Sequence, residues 1–136
     1  VITHLIDTNA VIALIGRKSD MLLSRVMDSD EGSIGLSTIV MHELYYGAYK
    51  SAKISYNLET LRLFMADFPV IGFEREDALT AGDIRAALAA KGRPIGPYDV
   101  LIAAQARTQD LVLVTNNVGE FRRVDGLRVE DWTVGR

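Results

Sequence analysis

Short apolar runs alternate with longer stretches of helical periodicity along this chain, and no other feature of the sequence restricts its fold as much. The segments "ITHLI" (2–6), "SIGLS" (33–37), "PVIGF" (69–73) and "LVLVT" (111–115) read as strands, with "LRVED" (127–131) a short last one before Trp132. Between them, "AVIALIG" suits a helix that Thr8 or Asn9 can cap and Gly16 closes. "DMLLSRVMDSD" is a second helix. "TIVMHELYYGAYKSA", capped by Ser37 or Thr38, is a third, with Val40, Leu44 and Gly47 on one face. "YNLETLRLFMADF" and "EREDALTAGDIRAALAAKG" follow, the latter stopped at Gly92. "RPIGP" is a rigid loop whose Pro97 suits the first turn of "YDVLIAAQARTQ", and "NNVGEFRRV" reads as a turn. Strands alternating with helices imply parallel βαβ units. The expectation is a three-layer α/β/α sandwich around a mainly parallel sheet of about five strands.

The 136 residues fit one domain, 1–136, and the 49% hydrophobic content argues against disorder. No cysteine is present, which excludes disulfides, thiolate zinc sites and cysteine nucleophiles. That absence fits a reducing cytoplasm. Residues 1–18 lack a basic leader region and are interrupted by Asp7, so no signal peptide is expected there, and no apolar run is long enough for a membrane span.

In open parallel sheets, ligands bind beyond the carboxyl ends of the strands. Three carboxylates fall where the chain changes direction: Asp7 after the first strand, Glu43 in the third helix, and Asp99 in the first turn after Pro97. A polar cluster after the "LVLVT" strand adds Thr115, Asn116, Asn117 and Glu120. Each has a structural reading. Asp7 can cap a helix, Glu43 can face solvent, Asp99 can complement a helix dipole, and Asn117 can sit in a turn. Converged at one sheet edge, however, unpaired acids repel one another unless a divalent cation holds them. Hard oxygen ligands favour Mg²⁺ or Mn²⁺ over zinc, and His4 and His42 lack zinc-like spacing. Such ions serve phosphodiester hydrolysis by activating water and offsetting charge on the reacting phosphate.

A net charge of −3 does not advertise nucleic-acid binding. The cations nevertheless cluster: Arg85, Lys91 and Arg93 precede Asp99, and Arg122 and Arg123 follow Glu120. They are the candidates for phosphate contacts. An aspartate-dependent phosphatase is a rival reading, but no lysine follows Lys91 and no Gly-rich phosphate loop is present. A non-catalytic RNA-binding or regulatory module is the other alternative.

The pieces "LIDTN", "MHELYYGA", "IRAALAAKGRPIGPYDVLIAAQA" and "LVLVTNNVGEFRRVDGLRVEDW", in this order and spacing, resemble the PIN-domain nucleases, and among them the VapC-type toxins of bacterial toxin–antitoxin pairs. The resemblance spans essentially the whole chain. It implies that Asp7, Glu43 and Asp99 are the family's three acids. Asn117 stands where many PIN domains carry a fourth acid, and Glu120 is placed to supply that charge, so one firmly held metal is expected. The resemblance further implies an endoribonuclease acting on structured RNA such as tRNA. It also implies a homodimer and a cognate antitoxin whose C-terminal segment plugs the active-site groove, with operator DNA reached only through the antitoxin.

Overall fold

The computed structural model describes residues 1–135. Strands β1 (His4–Ile6), β2 (Ile34–Ser37), β3 (Val70–Ile71), β4 (Val112–Val114) and β5 (Val129–Glu130) form one sheet, in the order β3-β2-β1-β4-β5. Every pairing is parallel. The expected strands are all found, and helices cover the sheet as an α/β/α sandwich. From β1 the chain steps outward through β2 to β3, then returns to lay β4 and β5 on the other flank of β1. The reversal of strand order leaves a switch point between β1 and β4, where an open parallel sheet offers a crevice.

Register brings the functional ends level. Ile6 lies opposite both Leu36 and Val114, so the next residues, Asp7, Ser37 and Thr115, emerge together at the carboxyl edge. The Asp7 amide completes the junction by donating to the Val114 carbonyl at 3.0 Å. Beneath this edge Leu5, Ile6, Leu36, Leu113 and Val114 are fully buried. Removing such side chains from water is the main favourable contribution to folding.

The helices are α1 (Thr8–Ile15), α2 (Asp20–Asp28), α3 (Thr38–Tyr49), α4 (Ile54–Met65), α5 (Arg75–Ala90), α6 (Pro97–Thr108) and the single turn α7 (Val118–Phe121). Ser37 caps α3 by accepting from the Ile39 amide at 3.0 Å. Beyond Lys91, the C-cap of α5, Gly92 adopts φ +65°, a left-handed conformation that favours glycine and ends the helix as expected. Pro97 opens α6 at its first position, where its missing N–H costs nothing. This helix is buried on most sides through Val100, Ile102, Ala103, Ala104, Gln105 and Ala106, and small alanines let α5 approach it closely.

Several local expectations are corrected. Asp7 itself caps α1, accepting from the Ala10 amide at 2.8 Å, so neither Thr8 nor Asn9 fills that place. On α3 it is Ala48, not Gly47, that joins Val40 and Leu44 in the core. Helix α4 starts at Ile54 rather than Tyr56. The "NNVGEFRRV" turn contains α7, whose buried Phe121 anchors it. The two edge strands, β3 and β5, are shorter than their apolar runs because each pairs on one side only.

Candidate active site

Asp7 is both the end of β1 and the cap of α1, and its carboxylate is only 1% exposed. One oxygen accepts from the Ala10 amide; the other accepts from the Thr115 hydroxyl at 2.5 Å. Thr115 in turn accepts from the Asn117 amide at 2.8 Å, so the β4 end is tied into the start of α7. Asn117 donates through its side-chain amide to Glu120 at 2.7 Å. Thr8 donates to the Glu43 carboxylate at 2.7 Å, linking α1 to α3. A chain of partners thus runs from Asp7 through Thr115 and Asn117 to Glu120.

Asp99 closes the crevice from the first turn of α6. Its carboxyl faces that of Glu120. The Asp99 pKa is pushed up to about 7. Burial is the largest cause, followed by the neighbouring Glu120 carboxyl, then the charges of Glu43 and Asp7. Gly96 makes room for this group: a Cβ there would come within 3.2 Å of the Asp99 Oδ2. Burial likewise lifts Asp7 to about 6, against the stabilising bonds from Thr115 and Ala10, with Glu43 and Asp131 raising it further. Asp7, Glu43, Asp99 and Glu120 are therefore electrostatically one cluster.

Among the described residues, no three His, Asp or Glu side chains stand together as a ready-made metal cage. Thr8, Thr115 and Asn117 each hold one acid in place. The donor set is nevertheless carboxylate and hydroxyl oxygen alone, which suits a hard divalent cation and not zinc. The raised pKa values of Asp7 and Asp99 mark mutual repulsion and burial that such a cation offsets.

The basic residues are less convergent. Arg85 is exposed on α5 and lines a cleft of about 370 Å³ with Pro94, Ile95 and Pro97, next to the start of α6. Arg93 and Arg122 are exposed. Lys91 pairs with Asp125 at 3.2 Å, and Arg123 donates to the Pro94 carbonyl at 3.0 Å. Asp131, which lies within the segment that reads as the last strand, is a further acid near the site. It follows β5 directly, and an acid directly after a strand was the signal that identified Asp7.

A parallel sheet with acids gathered at its switch point defines the broad class, an α/β protein with an acid-lined crevice. The family model for the PIN domain matches residues 4–127. The chain is 40% identical over 129 residues to the tRNA(fMet)-specific endonuclease VapC of Shigella flexneri, covering 95% of this chain and 97% of the relative. It is 39% identical over 129 residues to ribonuclease VapC2 of Haemophilus influenzae, with the same coverage. A chain of the crystal structure of DNA-bound VapBC from Salmonella typhimurium superimposes with a TM-score of 0.92 at 39% identity, covering 97% of this chain and 99% of that one. The chain therefore belongs to the PIN-domain family, on its VapC branch. Among the described residues, no helix is long and apolar enough to cross a membrane.

Proposed function

We propose that the protein is a divalent-metal-dependent endoribonuclease, the toxin of a toxin–antitoxin pair, and that it hydrolyses phosphodiester bonds in structured RNA such as tRNA. The observation that carries this reading is the gathering of Asp7, Glu43, Asp99 and Glu120 at the switch-point crevice, three of them held by Thr115, Thr8 and Asn117. Four acids kept together at such cost need a function that uses their charge. The names of the VapC relatives, endonuclease and ribonuclease, support the same reaction class.

Asp7, Glu43 and Asp99 are the residues that would hold Mg²⁺ or Mn²⁺, with Glu120 as a fourth carboxylate. When bound, such an ion supplies activated water and neutralises charge on the phosphate. Thr115 fixes the Asp7 carboxylate and Thr8 that of Glu43, so neither acid has to be reoriented before it acts. Asn117 plays the same part for Glu120, which suits a neutral residue in that position. Arg85, Lys91 and Arg93, which precede Asp99 in the chain, are the candidates for contacts with the RNA backbone. Lys91 must first leave Asp125 to make one.

Solved structures of relatives include VapBC from Salmonella typhimurium and VapBC2 from Rickettsia felis, both with DNA bound, and VapBC-1 from Haemophilus influenzae. By that likeness the partner here is a VapB-like antitoxin, which mediates any contact with operator DNA, and the toxin itself is a homodimer acting in the cytoplasm. Brief expression followed by sequencing of new RNA ends tests the reading. The expected result is a discrete set of cleavage sites in structured RNA that vanishes when the antitoxin is co-expressed. An unchanged pattern of RNA ends would overturn it.

A further inference from the structure

His42 and Tyr98 are the immediate neighbours of two of the acids. His42 precedes Glu43 on α3, and Tyr98 precedes Asp99 on α6. Successive residues on an α-helix are turned by roughly 100°, from about 3.6 residues per turn. On both helices the acid looks into the crevice, and the ring is turned onto the adjoining surface. There the two rings meet, with centroids 5.0 Å apart and planes inclined by 58°. The pair is not a core contact: His42 is exposed and Tyr98 is 45% exposed. Two rings packed on each other, open to solvent and one residue from each of two site carboxylates, offer a flat apolar surface beside the crevice.

We propose that His42 and Tyr98 form a stacking platform for one unpaired base of the RNA, adjoining the phosphate held at the acids; this rests on the endoribonuclease reading above. Aromatic side chains grip RNA by stacking on bases that are splayed out of a helix, and a paired base cannot offer its face in this way. Stacking is tolerant of base identity. The platform therefore selects for an unpaired nucleotide beside the scissile bond rather than for a particular base. It also divides the work of binding. The ring pair should act with little salt dependence, whereas phosphate contacts through Arg85 or Arg93 weaken as salt rises.

The test uses the full chain carrying Asp7→Asn, so that binding is read without cleavage, and a tRNA(fMet) transcript as the probe. Adding Tyr98→Ala should weaken binding roughly fivefold to a hundredfold, the range of a lost base stack. Tyr98→Phe should bind like its parent, and the salt slope should not change. Transcripts with single abasic nucleotides in their unpaired segments then locate the base. At one position the difference between parent and Tyr98→Ala should disappear. An equal loss on every transcript, or no loss at all, overturns the platform. So does a shift from dimer to monomer in His42→Ala/Tyr98→Ala with RNA affinity unchanged, because the pair would then be a contact between copies. Cleavage by the unmodified chain without abasic coupling removes the platform and leaves the nuclease. Abasic coupling without any cleavage does the reverse.

Discussion

The carboxyl edge of the sheet is built in two contrasting halves. Between β1 and β4, acids crowd the crevice, and burial with the neighbouring carboxylates pushes the Asp99 pKa up to about 7. Between β2 and β3, the same edge is closed by a neutral bridge. Ser37 donates to the fully buried Gln105 side-chain oxygen, and the Gln105 amide reaches the carbonyls of Gly72 at 3.1 Å and Ile71 at 3.4 Å. Both halves bury polar atoms. On the bridge side every buried group finds a complementary partner, which is the arrangement that stabilises a fold. On the crevice side like groups face like, which a fold retains only where their charge has a use. Helix α6 serves both, presenting Asp99 at its start and Gln105 two turns later.

If the halves divide construction from chemistry, single substitutions should separate stability from activity. Asp99→Asn should lower RNA cleavage by at least about 100-fold, the scale of a lost general acid–base or ligand group. Its unfolding midpoint in urea should match or exceed that of the wild type, because a repelled carboxylate has been removed. Gln105→Leu should do the opposite, leaving Ser37 and two carbonyls without their partner at a cost of about 2–4 kcal/mol. Cleavage by the fraction that stays folded should survive. Loss of both properties in both variants would erase the distinction.

The contrast was only partly legible in the sequence. The crevice could be read because acids directly after strands or at helix starts leave a local signature, as Asp7 and Asp99 do. Its wiring could not. Thr8 reaches Glu43 across 35 positions, and Thr115 reaches Asp7 across 108, distances that only tertiary packing closes. Thr8 looked like a cap because hydroxyls at helix starts usually are caps. Asp7, already in extended backbone at that point, takes the cap instead. Asp131 was hidden by an apolar run that outlasts the real strand. The neutral bridge was invisible altogether, since a glutamine in an alanine-rich helix gives no sign of which face is covered.

A smaller effect concerns pH, and its sign follows from the raised acids. Asp7 titrates at about 6 and Asp99 at about 7 in the folded chain, above the usual carboxylate values near 3.9 that apply once the chain unfolds. The folded state therefore binds more protons than the unfolded one between these limits. Stability of the metal-free protein should be greatest toward the lower limit and fall as pH rises through 6 and 7. The Ser37–Gln105 bridge itself contains no titrating group, so Asp99→Asn should flatten this dependence and Gln105→Leu should leave its shape intact. Mg²⁺ or Mn²⁺ binds the ionised form, so it should raise Tm above pH 7 and much less near pH 5. Calorimetry across that range checks both statements. A metal-induced shift of equal size at both ends would mean that the raised acids are not the ligands.

The smallest expected effect distinguishes cations near the crevice. Arg93 is exposed and Arg85 lines the neighbouring cleft, whereas Lys91 is engaged by Asp125. A side chain that neutralises one RNA phosphate adds roughly 0.7–0.9 to the slope of log affinity against log salt. Arg93→Glu should remove at least that increment and weaken binding at low salt several-fold. Lys91→Glu should do less, because the lysine already shares its charge with Asp125 and an exposed ion pair of this kind contributes at most about 1 kcal/mol. Titrations of the Asp7→Asn chain with a tRNA transcript at several salt concentrations resolve the two. Equal slopes for both variants would show that the Lys91–Asp125 pair opens freely when RNA arrives. An unchanged slope for Arg93→Glu would move the phosphate path away from the loop before α6, toward Arg122 on the far side of Glu120.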